Sequence, residues 1–215
     1  MTPPYIRYNY VVIEGNIGAG KTSLANMLSD LYNGKLILEQ FEDNPFLPKF
    51  YQDQQKYAFQ LELSFLASRY QQLKDQIATM DLFKSFVIAD YFINKSLIFA
   101  RKTLQDDEFA LFSRLFQIII STVPKPDLLV YLHVNVNRLQ QNIRHRGRSY
   151  EQEIENSYLE KIQQGYLEYL KQLSDTRILL LDTNNLDFVG STSDLERVLN
   201  LINADYPVGV HTFTL

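Results

Sequence analysis

The chain of 215 residues contains no cysteine and no tryptophan. Without thiols it can form neither disulfide bonds nor thiolate-ligated metal centres. It also lacks an excess of positive charge, because 21 lysines and arginines stand against 25 aspartates and glutamates, for a formal net charge of −4. That balance argues against a protein that coats nucleic acid through a broad basic face.

Long apolar runs are missing too. None approaches the ~20 residues of a membrane-spanning helix, and the first residues lack the apolar core of a secretion signal. We therefore expect a cytoplasmic protein with neither a membrane nor a nucleic acid as partner. The composition, 46% hydrophobic and 21% charged, is typical of a folded globular chain. The length favours a single domain over residues 1–215, since no repeat or linker divides it.

Short apolar runs alternate with segments that have helical periodicity. Five runs have the composition of buried strands, at 8–14, 35–38, 86–89, 128–132 and 178–181. The helical segments between them include a long one at about 54–80. Continuous apolar strands separated by helices are typical of parallel sheets covered on both faces. The sequence thus predicts an α/β fold with a five-stranded parallel sheet and helices on both faces.

The segment after the first predicted strand fits the pattern G-x-x-x-x-G-K-[ST]. Its residues are Gly15, Asn16, Ile17, Gly18, Ala19, Gly20, Lys21 and Thr22. Glycines allow successive backbone N–H groups to point at phosphate oxygens, and the following helix adds the positive end of its dipole. In this motif Lys21 would reach the outer phosphates of a nucleoside triphosphate, and the Thr22 hydroxyl would bind Mg²⁺. The flanking strand and helix satisfy the context that the motif requires.

Other motifs in the chain indicate which class of nucleotide-dependent protein this is. The guanine-reading motif N-K-x-D of GTPases is absent, because residues 94–97 are Asn-Lys-Ser-Leu. Asp90 follows the third predicted strand and is a candidate for an outer magnesium ligand. A small domain with this loop favours a small-molecule kinase, since phosphoryl transfer needs little beyond positioning and charge neutralisation.

A basic cluster interrupts this acidic chain. Arg144, Arg146 and Arg148 place three guanidinium groups within five residues, with Gly147 between the last two. Arginines can donate in pairs to phosphate oxygens and stabilise a phosphoryl group in transfer. Taken alone, the cluster favours a basic helix end that faces solvent. Because a phosphate loop is present, we interpret residues 144–152 as an arginine-rich lid that closes on ATP.

Five segments, in order along the chain, carry a family resemblance. They are GNIGAGKTSLA at 15–25, EQFEDNPFL at 39–47, YAFQ at 57–60 with Ser68-Arg69, RHRGRSYEQEI at 144–154, and Asp182 with LDFV at 186–189. Over essentially its whole length the sequence resembles the deoxynucleoside kinase family, in particular the bacterial deoxyguanosine and deoxyadenosine kinases. The resemblance implies a P-loop kinase fold, ATP and Mg²⁺ as cofactors, phosphorylation of a nucleoside 5′-hydroxyl in nucleotide salvage, and a homodimer.

The resemblance also implies catalytic roles. Glu39 ends the second predicted strand at the position of the family's general base, and a carboxylate there could accept the 5′-hydroxyl proton. Lys21 and the lid arginines Arg146 and Arg148 would stabilise the transferring phosphoryl group. These four residues form the predicted catalytic set.

Further matches imply contacts to the two substrates. Tyr51 and Glu151 match residues at the sugar 3′-hydroxyl. Phe99 matches a ring that stacks on the base, and Arg69 matches an arginine that reads it. Taken alone, Tyr51 and Glu151 favour ordinary surface and Phe99 favours core, and the matching spacing is what points to the substrate. The stretch that resembles the loop near the ATP adenine consists of Asp187, Phe188 and Val189.

The chain departs from the family's pattern at several positions. The acidic-Arg-Ser triplet that many relatives carry after the third strand is Ala-Asp-Tyr here, so that Asp90 replaces the arginine. Glu62 stands in place of a glutamine that pairs with the base. Lys95 stands in place of the aspartate that partners the base-reading arginine. Asn142 replaces an arginine before the lid, a loss for which Arg144 could compensate in ATP binding.

These departures bear on the base. Ionised Glu62 offers only acceptors, which match the adjacent N1–H and N2–H donors of guanine, whereas it would repel the N1 acceptor of adenine. Lys95 and Arg69 could donate to the guanine O6 and N7 atoms. In the alternative, Glu62 and Lys95 pair with each other and the base is read elsewhere. We expect a kinase that favours deoxyguanosine, with a deoxyadenosine or broad deoxynucleoside kinase as the alternative.

Other functions stay open at this point. A thymidylate kinase would need an arginine cluster for the acceptor phosphate, where the chain offers only Arg69 and Arg101. A non-catalytic nucleotide-binding module would not need the combination of Glu39 with the lid. The expected homodimer could use the long helix at 54–80 or the apolar segment at 115–120, but either could equally be internal core.

Overall fold

The computed structural model describes residues 5–40, 44–77 and 83–215 of the chain. Within these residues one sheet contains the strands β1 (Tyr10–Gly15), β2 (Lys35–Ile37), β3 (Val87–Ala89), β4 (Leu128–His133), β5 (Arg177–Asp182) and β6 (Gly209–Thr214). The strand order is β2-β3-β1-β4-β5-β6, and every neighbouring pair is parallel. The predicted α/β fold on a parallel sheet is confirmed.

The prediction of five strands is wrong by one. β6 pairs with β5 from Arg177 opposite Gly209 to Asp182 opposite Thr214. Its residues alternate between half-buried and exposed, as expected for an edge strand with one face toward water. β6 is not a continuous apolar run, because His and Thr stand between its apolar residues, so the pattern of buried strands does not predict it.

The helices of the described residues are α1 (Lys21–Tyr32), α2 (Leu47–Gln52), α3 (Gln54–Ile77), α4 (Lys95–Thr103), α5 (Asp106–Ile120), α6 (Val136–Arg146), α7 (Asn156–Leu170) and α8 (Thr192–Ile202), with a 3₁₀ turn at Ser149–Glu151. The predicted long helix is therefore present up to Ile77, and its predicted end at 78–80 lies outside the described residues. Residues 41–43 of the EQFEDNPFL segment lie outside them as well. None of the described helices combines the length and apolar content that a membrane span requires.

Alternation along the central strand β1 divides the core in two. Val11 and Ile13 pack with α1, α6 and α8 on one face of the sheet, whereas Val12 packs with α3, α4 and α5 on the other. All six residues of β1 are buried. Each buried valine or isoleucine contributes about 1.5–3 kcal/mol, so that β1 anchors both layers.

The strand order brings three chain segments to one edge of the sheet. β1 lies between β3 and β4, and connections leave it in opposite directions, which creates a crevice at the carboxyl ends of the strands. The phosphate loop begins at Gly15, the last residue of β1. Glu39 follows β2 and Asp90 follows β3, so that both carboxylates come to the same crevice.

Candidate active site

The phosphate loop ends in an α-helix whose first turn is open. Gly20 takes the N-cap position of α1 in a left-handed conformation, with φ +88°, and no side chain caps the helix. A Cβ atom on Gly20 would lie 2.9 Å from Phe188 Cζ, so only glycine fits both the backbone angle and the space. The N–H groups of this turn are therefore available for an anion such as a phosphate group.

Lys21 is folded back over the loop. Its Nζ donates to the carbonyl oxygens of Gly15 and Asn16 at 2.9 and 3.0 Å. Burial, together with the nearby charge of Lys95, lowers the pKa of Lys21 to about 8. A phosphate group would offer this ammonium a negatively charged partner in place of two carbonyls.

Glu14 is a functional candidate that the sequence analysis missed. Its fully buried carboxylate accepts the Gly15 N–H and the Tyr166 hydroxyl on one oxygen, at 2.9 and 3.0 Å, and the Phe92 N–H on the other, at 2.9 Å. Burial raises the pKa of Glu14 above its usual range. The carboxylate thus joins the phosphate loop to α7 and to the segment after β3. The sequence feature that could have indicated Glu14 is a charged residue within an apolar strand, directly before the phosphate loop.

Asp90 connects the phosphate loop to the segment that follows β2. One oxygen accepts the Thr22 hydroxyl at 2.5 Å, and the other accepts the Glu39 backbone N–H at 2.7 Å. A hydroxyl and a carboxylate are hard oxygen donors of the kind that Mg²⁺ prefers when it bridges phosphates. The donor set therefore fits a magnesium ion, although the described residues contain no group of three or more carboxylate or histidine ligands.

Both carboxylate oxygens of Glu39 are bound by cations. Arg69 donates to Oε1 from Nη2 at 2.5 Å and from Nε at 2.8 Å, and Lys95 Nζ lies 2.7 Å from Oε2. Burial alone would raise the pKa of Glu39, but Lys95 and Arg69 outweigh burial and hold this pKa well below its usual range. Glu39 is consequently an anion, fixed at the edge of the sheet.

Arg69 is fixed by more than Glu39. Its third nitrogen, Nη1, donates to Ser96 Oγ at 2.6 Å, and its guanidinium carbon lies 4.7 Å from the centre of the Phe65 ring. The guanidinium therefore supports Glu39 and Ser96 with all three of its nitrogens. Reading of the base by Arg69 stays a prediction.

Glu62 forms no ion pair with Lys95 in the described structure. Its carboxyl group is therefore available for recognition of the base. It is 2% exposed, and one oxygen accepts the Thr103 hydroxyl at 3.2 Å. Burial raises the pKa of Glu62 to about 7, against the opposing effect of Arg69. A carboxyl group with this pKa can be an acceptor or a donor near neutral pH.

One pocket contains every side chain that the sequence assigned to the nucleoside. These lining residues are Glu39, Tyr51, Glu62, Arg69, Asp90, Lys95, Phe99 and Glu151. Its apolar walls come from Ile17 of the phosphate loop, α2, the first half of α3 and Tyr158 of α7. A pocket that combines apolar walls with charged side chains suits a nucleoside, which has both a base to stack and polar groups to bind.

A second cleft covers the outer side of the phosphate loop. It is lined by Gly18, Ala19, Gly20, the predicted adenine loop Asp187, Phe188 and Val189, and also by Arg138, Asn142 and His145. Arg138 was missed by the sequence analysis, and it donates to the carbonyls of Thr183, Asn184 and Leu186. Arg144 is exposed on α6 and is not among the residues that line this cleft, and its role in ATP binding stays a prediction.

The two clefts meet at the lid. Lys21, Thr22, Arg146 and Arg148 line both of them. Gly147, with φ +74°, ends α6 and turns the chain so that Arg146 and Arg148 both pair with the buried carboxylate of Glu151. The predicted lid residues are thus brought together over the phosphate loop.

Comparison with known proteins agrees with this geometry. The sequence model of the family described as deoxynucleoside kinase matches residues 11–205. The chain belongs to the deoxynucleoside kinase family. The predicted resemblance is confirmed, and the enzyme phosphorylates a deoxynucleoside at the expense of ATP.

Two curated relatives and one solved structure illustrate the match. The deoxyguanosine kinase of Bacillus subtilis (strain 168) is 40% identical over 196 residues, which cover 88% of this kinase and 93% of the relative. The deoxyguanosine kinase of Lactobacillus acidophilus is 34% identical over 89% of this kinase and 88% of the relative. A deoxyadenosine kinase from M. mycoides with bound dATP superimposes with a TM-score of 0.78 at 24% identity, covering 91% of this kinase and all of that chain.

Proposed function

We propose that this kinase transfers the γ-phosphoryl group of ATP to the 5′-hydroxyl of deoxyguanosine. The observation that carries the proposal is the junction of two clefts at Lys21, Thr22 and the lid arginines, with the Glu39 carboxylate on the nucleoside side. The donor phosphate and the acceptor hydroxyl would meet at that junction. The curated relatives named as deoxyguanosine kinases support the choice of base.

The proposed reaction uses the chain's own groups in three roles. Glu39 accepts the proton of the 5′-hydroxyl while the 5′-oxygen of the nucleoside forms a bond to the γ-phosphorus. The bond from that phosphorus to the β–γ bridging oxygen breaks, and ADP leaves with the electron pair. Lys21, Arg146 and Arg148 neutralise charge on the equatorial and leaving oxygens. The loop amides hold the remaining phosphates in place.

Magnesium belongs to the same proposal. When bound, the ion would neutralise charge on the β- and γ-phosphates. The Thr22 hydroxyl and the Asp90 carboxylate would hold it, because they adjoin each other at the open end of the phosphate loop. Glu14 would keep that loop in place from beneath.

Base recognition is assigned to Glu62 and Lys95. Ionised Glu62 would accept the N1–H and N2–H groups of guanine, and Lys95 would donate to O6. Phe99 would stack on the base, and Tyr51 and Glu151 would lie at the sugar, since all of these side chains line the same pocket. A buried polar pair of this kind can reject a mismatched base by on the order of 10⁴-fold.

A second candidate substrate is deoxyadenosine. The raised pKa of Glu62, about 7, means that the neutral acid is present in slightly acidic solution. A neutral carboxyl group could donate to N1 of adenine as a glutamine amide does. The family match favours both kinases over the alternative of a non-catalytic nucleotide-binding module.

Assembly and location complete the proposal. A homodimer is supported by Leu111 and Ile118 of α5, which are 50% and 70% exposed on the outside of the described chain. The cytoplasmic location, the single domain and the absence of a nucleic-acid partner stay predictions from composition.

The test is a parallel phosphorylation assay of the purified enzyme with ATP and Mg²⁺. Deoxyguanosine, deoxyadenosine, deoxycytidine and thymidine are compared by kcat/KM, and the product is identified as the 5′-monophosphate. We expect deoxyguanosine to exceed the other three by at least about tenfold, a difference of ~1.4 kcal/mol in transition-state free energy. Preference for deoxyadenosine at pH 7 or above would overturn the guanine assignment and leave the kinase intact.

A further inference from the structure

The two cations on Glu39 are held very differently. Arg69 is 4% exposed, and all three guanidinium nitrogens donate to Glu39 or Ser96. The contacts that the structure shows for the Lys95 ammonium are Glu39 Oε2 at 2.7 Å and the Phe99 ring, whose centre is 5.5 Å away. A lysine ammonium also sits on a flexible stem with three rotatable donors. Lys95 is therefore the cation that can change partner.

Lys95 lies between the two ends of the nucleoside pocket. It lines the pocket together with Glu39 at the phosphate side and with Glu62 and Phe99 at the base side. Its position at the start of α4 places the flexible stem beside the slot where the base would stack. An acceptor atom on the base would thus compete with Glu39 Oε2 for the same ammonium.

Among the described residues, the oxygen that Lys95 binds has fewer hydrogen-bond partners than the other oxygen of Glu39. Oε1 of Glu39 accepts two bonds from Arg69, whereas Oε2 has Lys95. Oε2 is therefore the oxygen of Glu39 that is better placed to accept a hydrogen bond from the 5′-hydroxyl. When Lys95 moves away, the lone pair of Oε2 that it occupied becomes available as an acceptor. Guanine offers a carbonyl oxygen, O6, as the competing acceptor.

Building on the function proposed above, we propose that Lys95 is a substrate-operated latch on Glu39. In the free enzyme it binds Oε2. When guanine enters, the ammonium moves to O6, and Oε2 becomes free to receive the 5′-hydroxyl proton as the new O–P bond forms. Base recognition is thereby coupled to the rate of phosphoryl transfer, and Lys95 selects substrates through kcat as well as KM.

The test replaces one atom of the substrate. In 6-thio-2′-deoxyguanosine, sulfur takes the place of O6 and is the weaker acceptor, while N1–H, the N2 amino group and N7 are retained. The full-length enzyme, K95M and K102M are assayed at saturating ATP and nucleoside so that kcat is separated from KM. Lys102 is the matched control, because it lies on the same helix but pairs with Glu168 outside the pocket.

The expected result is that K95M changes the ratio of kcat for deoxyguanosine to kcat for the thio analogue. The wild type and K102M should show a kcat about tenfold higher for deoxyguanosine than for the thio analogue, the size of one hydrogen bond in the transition state. In K95M no latch has to be released, so the two kcat values should agree within about twofold, since each factor of two is only ~0.4 kcal/mol. The size of the sulfur atom cannot account for this result, because K95M meets the same atom.

Other outcomes overturn the latch. A wild-type kcat that does not respond to sulfur overturns it without any variant, so a K95M protein that fails to fold does not block the test. Equal losses of kcat for both nucleosides in K95M would show that Lys95 only holds Glu39 in place. If the wild type turns over other nucleosides but not deoxyguanosine, the proposed substrate fails first and the coupling to O6 fails with it.

Discussion

Asp90 Oδ2 accepts a hydrogen bond from the Thr22 hydroxyl at 2.5 Å, which joins the end of β3 to the start of α1. The second oxygen of the carboxylate accepts the Glu39 N–H at 2.7 Å. One side chain therefore sets the distance between the phosphate loop and the proposed general base. A small displacement of either would misalign the in-line transfer.

The first prediction concerns this link. Asp90→Asn keeps the shape of the side chain but removes the charge that would hold Mg²⁺. We expect kcat to fall by about 100-fold and the Mg²⁺ concentration for half-maximal activity to rise by about 10–100-fold. A magnesium titration at saturating ATP measures both quantities. Asp106→Asn, on an exposed side chain at the start of α5, should leave them unchanged.

Glu39→Gln separates chemistry from binding. The amide cannot accept the 5′-hydroxyl proton, so kcat should fall by about 10²–10⁴-fold, while deoxyguanosine still binds. Loss of the anion also leaves Arg69 and Lys95 buried without their partner, and the free energy of unfolding should drop by about 3–5 kcal/mol. Single-turnover kinetics and urea titration measure the two effects. Undiminished turnover would exclude Glu39 as the base.

Glu62→Gln tests base recognition. Glutamine presents a donor and an acceptor where ionised Glu62 presents acceptors only. The ratio of kcat/KM for deoxyguanosine over deoxyadenosine should therefore fall by at least about tenfold in the variant at pH 8. Thr103→Val, which removes a hydroxyl that lies within hydrogen-bond distance of both Glu62 and the Phe99 carbonyl, is the comparison. An unchanged ratio in E62Q would show that another residue reads the base.

Glu62 also makes stability depend on pH. Its pKa is raised by burial from 4.5 to about 7, so between these values the folded protein holds a proton that the unfolded chain has lost. Stability must fall as pH rises through this window, by on the order of 3 kcal/mol. The E62Q variant lacks this titration. The difference between its denaturant midpoint and that of the wild type should therefore shift in favour of the variant as the pH rises from 5 to 8. Parallel pH profiles would contradict the raised pKa.

Glu14→Gln tests the support beneath the phosphate loop. The carboxylate accepts three hydrogen bonds, whereas an amide must turn its NH₂ group toward at least one donor. We expect a loss of about 1–3 kcal/mol in unfolding free energy and a higher KM for ATP, with KM for the nucleoside little changed. Tyr166→Phe, which removes one of the three donors, should show a smaller loss. If the KM for ATP is the same in Glu14→Gln as in the wild type, Glu14 has only a structural role.

Much of the site could be predicted from sequence because it depends on local geometry. The phosphate loop needs glycines at set spacings and a helix directly after them, and both are visible in residues 15–22. The lid needs arginines around a glycine, and Gly147 does end α6 in the conformation that glycine favours. Buried parallel strands are continuous apolar runs, so five of the six were found. The edge strand β6 was missed because its pattern is alternating.

Only the tertiary structure decided which charges meet. Lys95 and Glu39 are 56 residues apart, and they come together because β2 and β3 are neighbours whose carboxyl ends share one edge of the sheet. The same order brings Asp90 to Thr22. Arg144 does not line the cleft beside the phosphate loop, since a helix exposes side chains on every side and the sequence does not show which side faces the loop. Residue types and local turns thus followed from the sequence, whereas partners of buried charges followed from strand order.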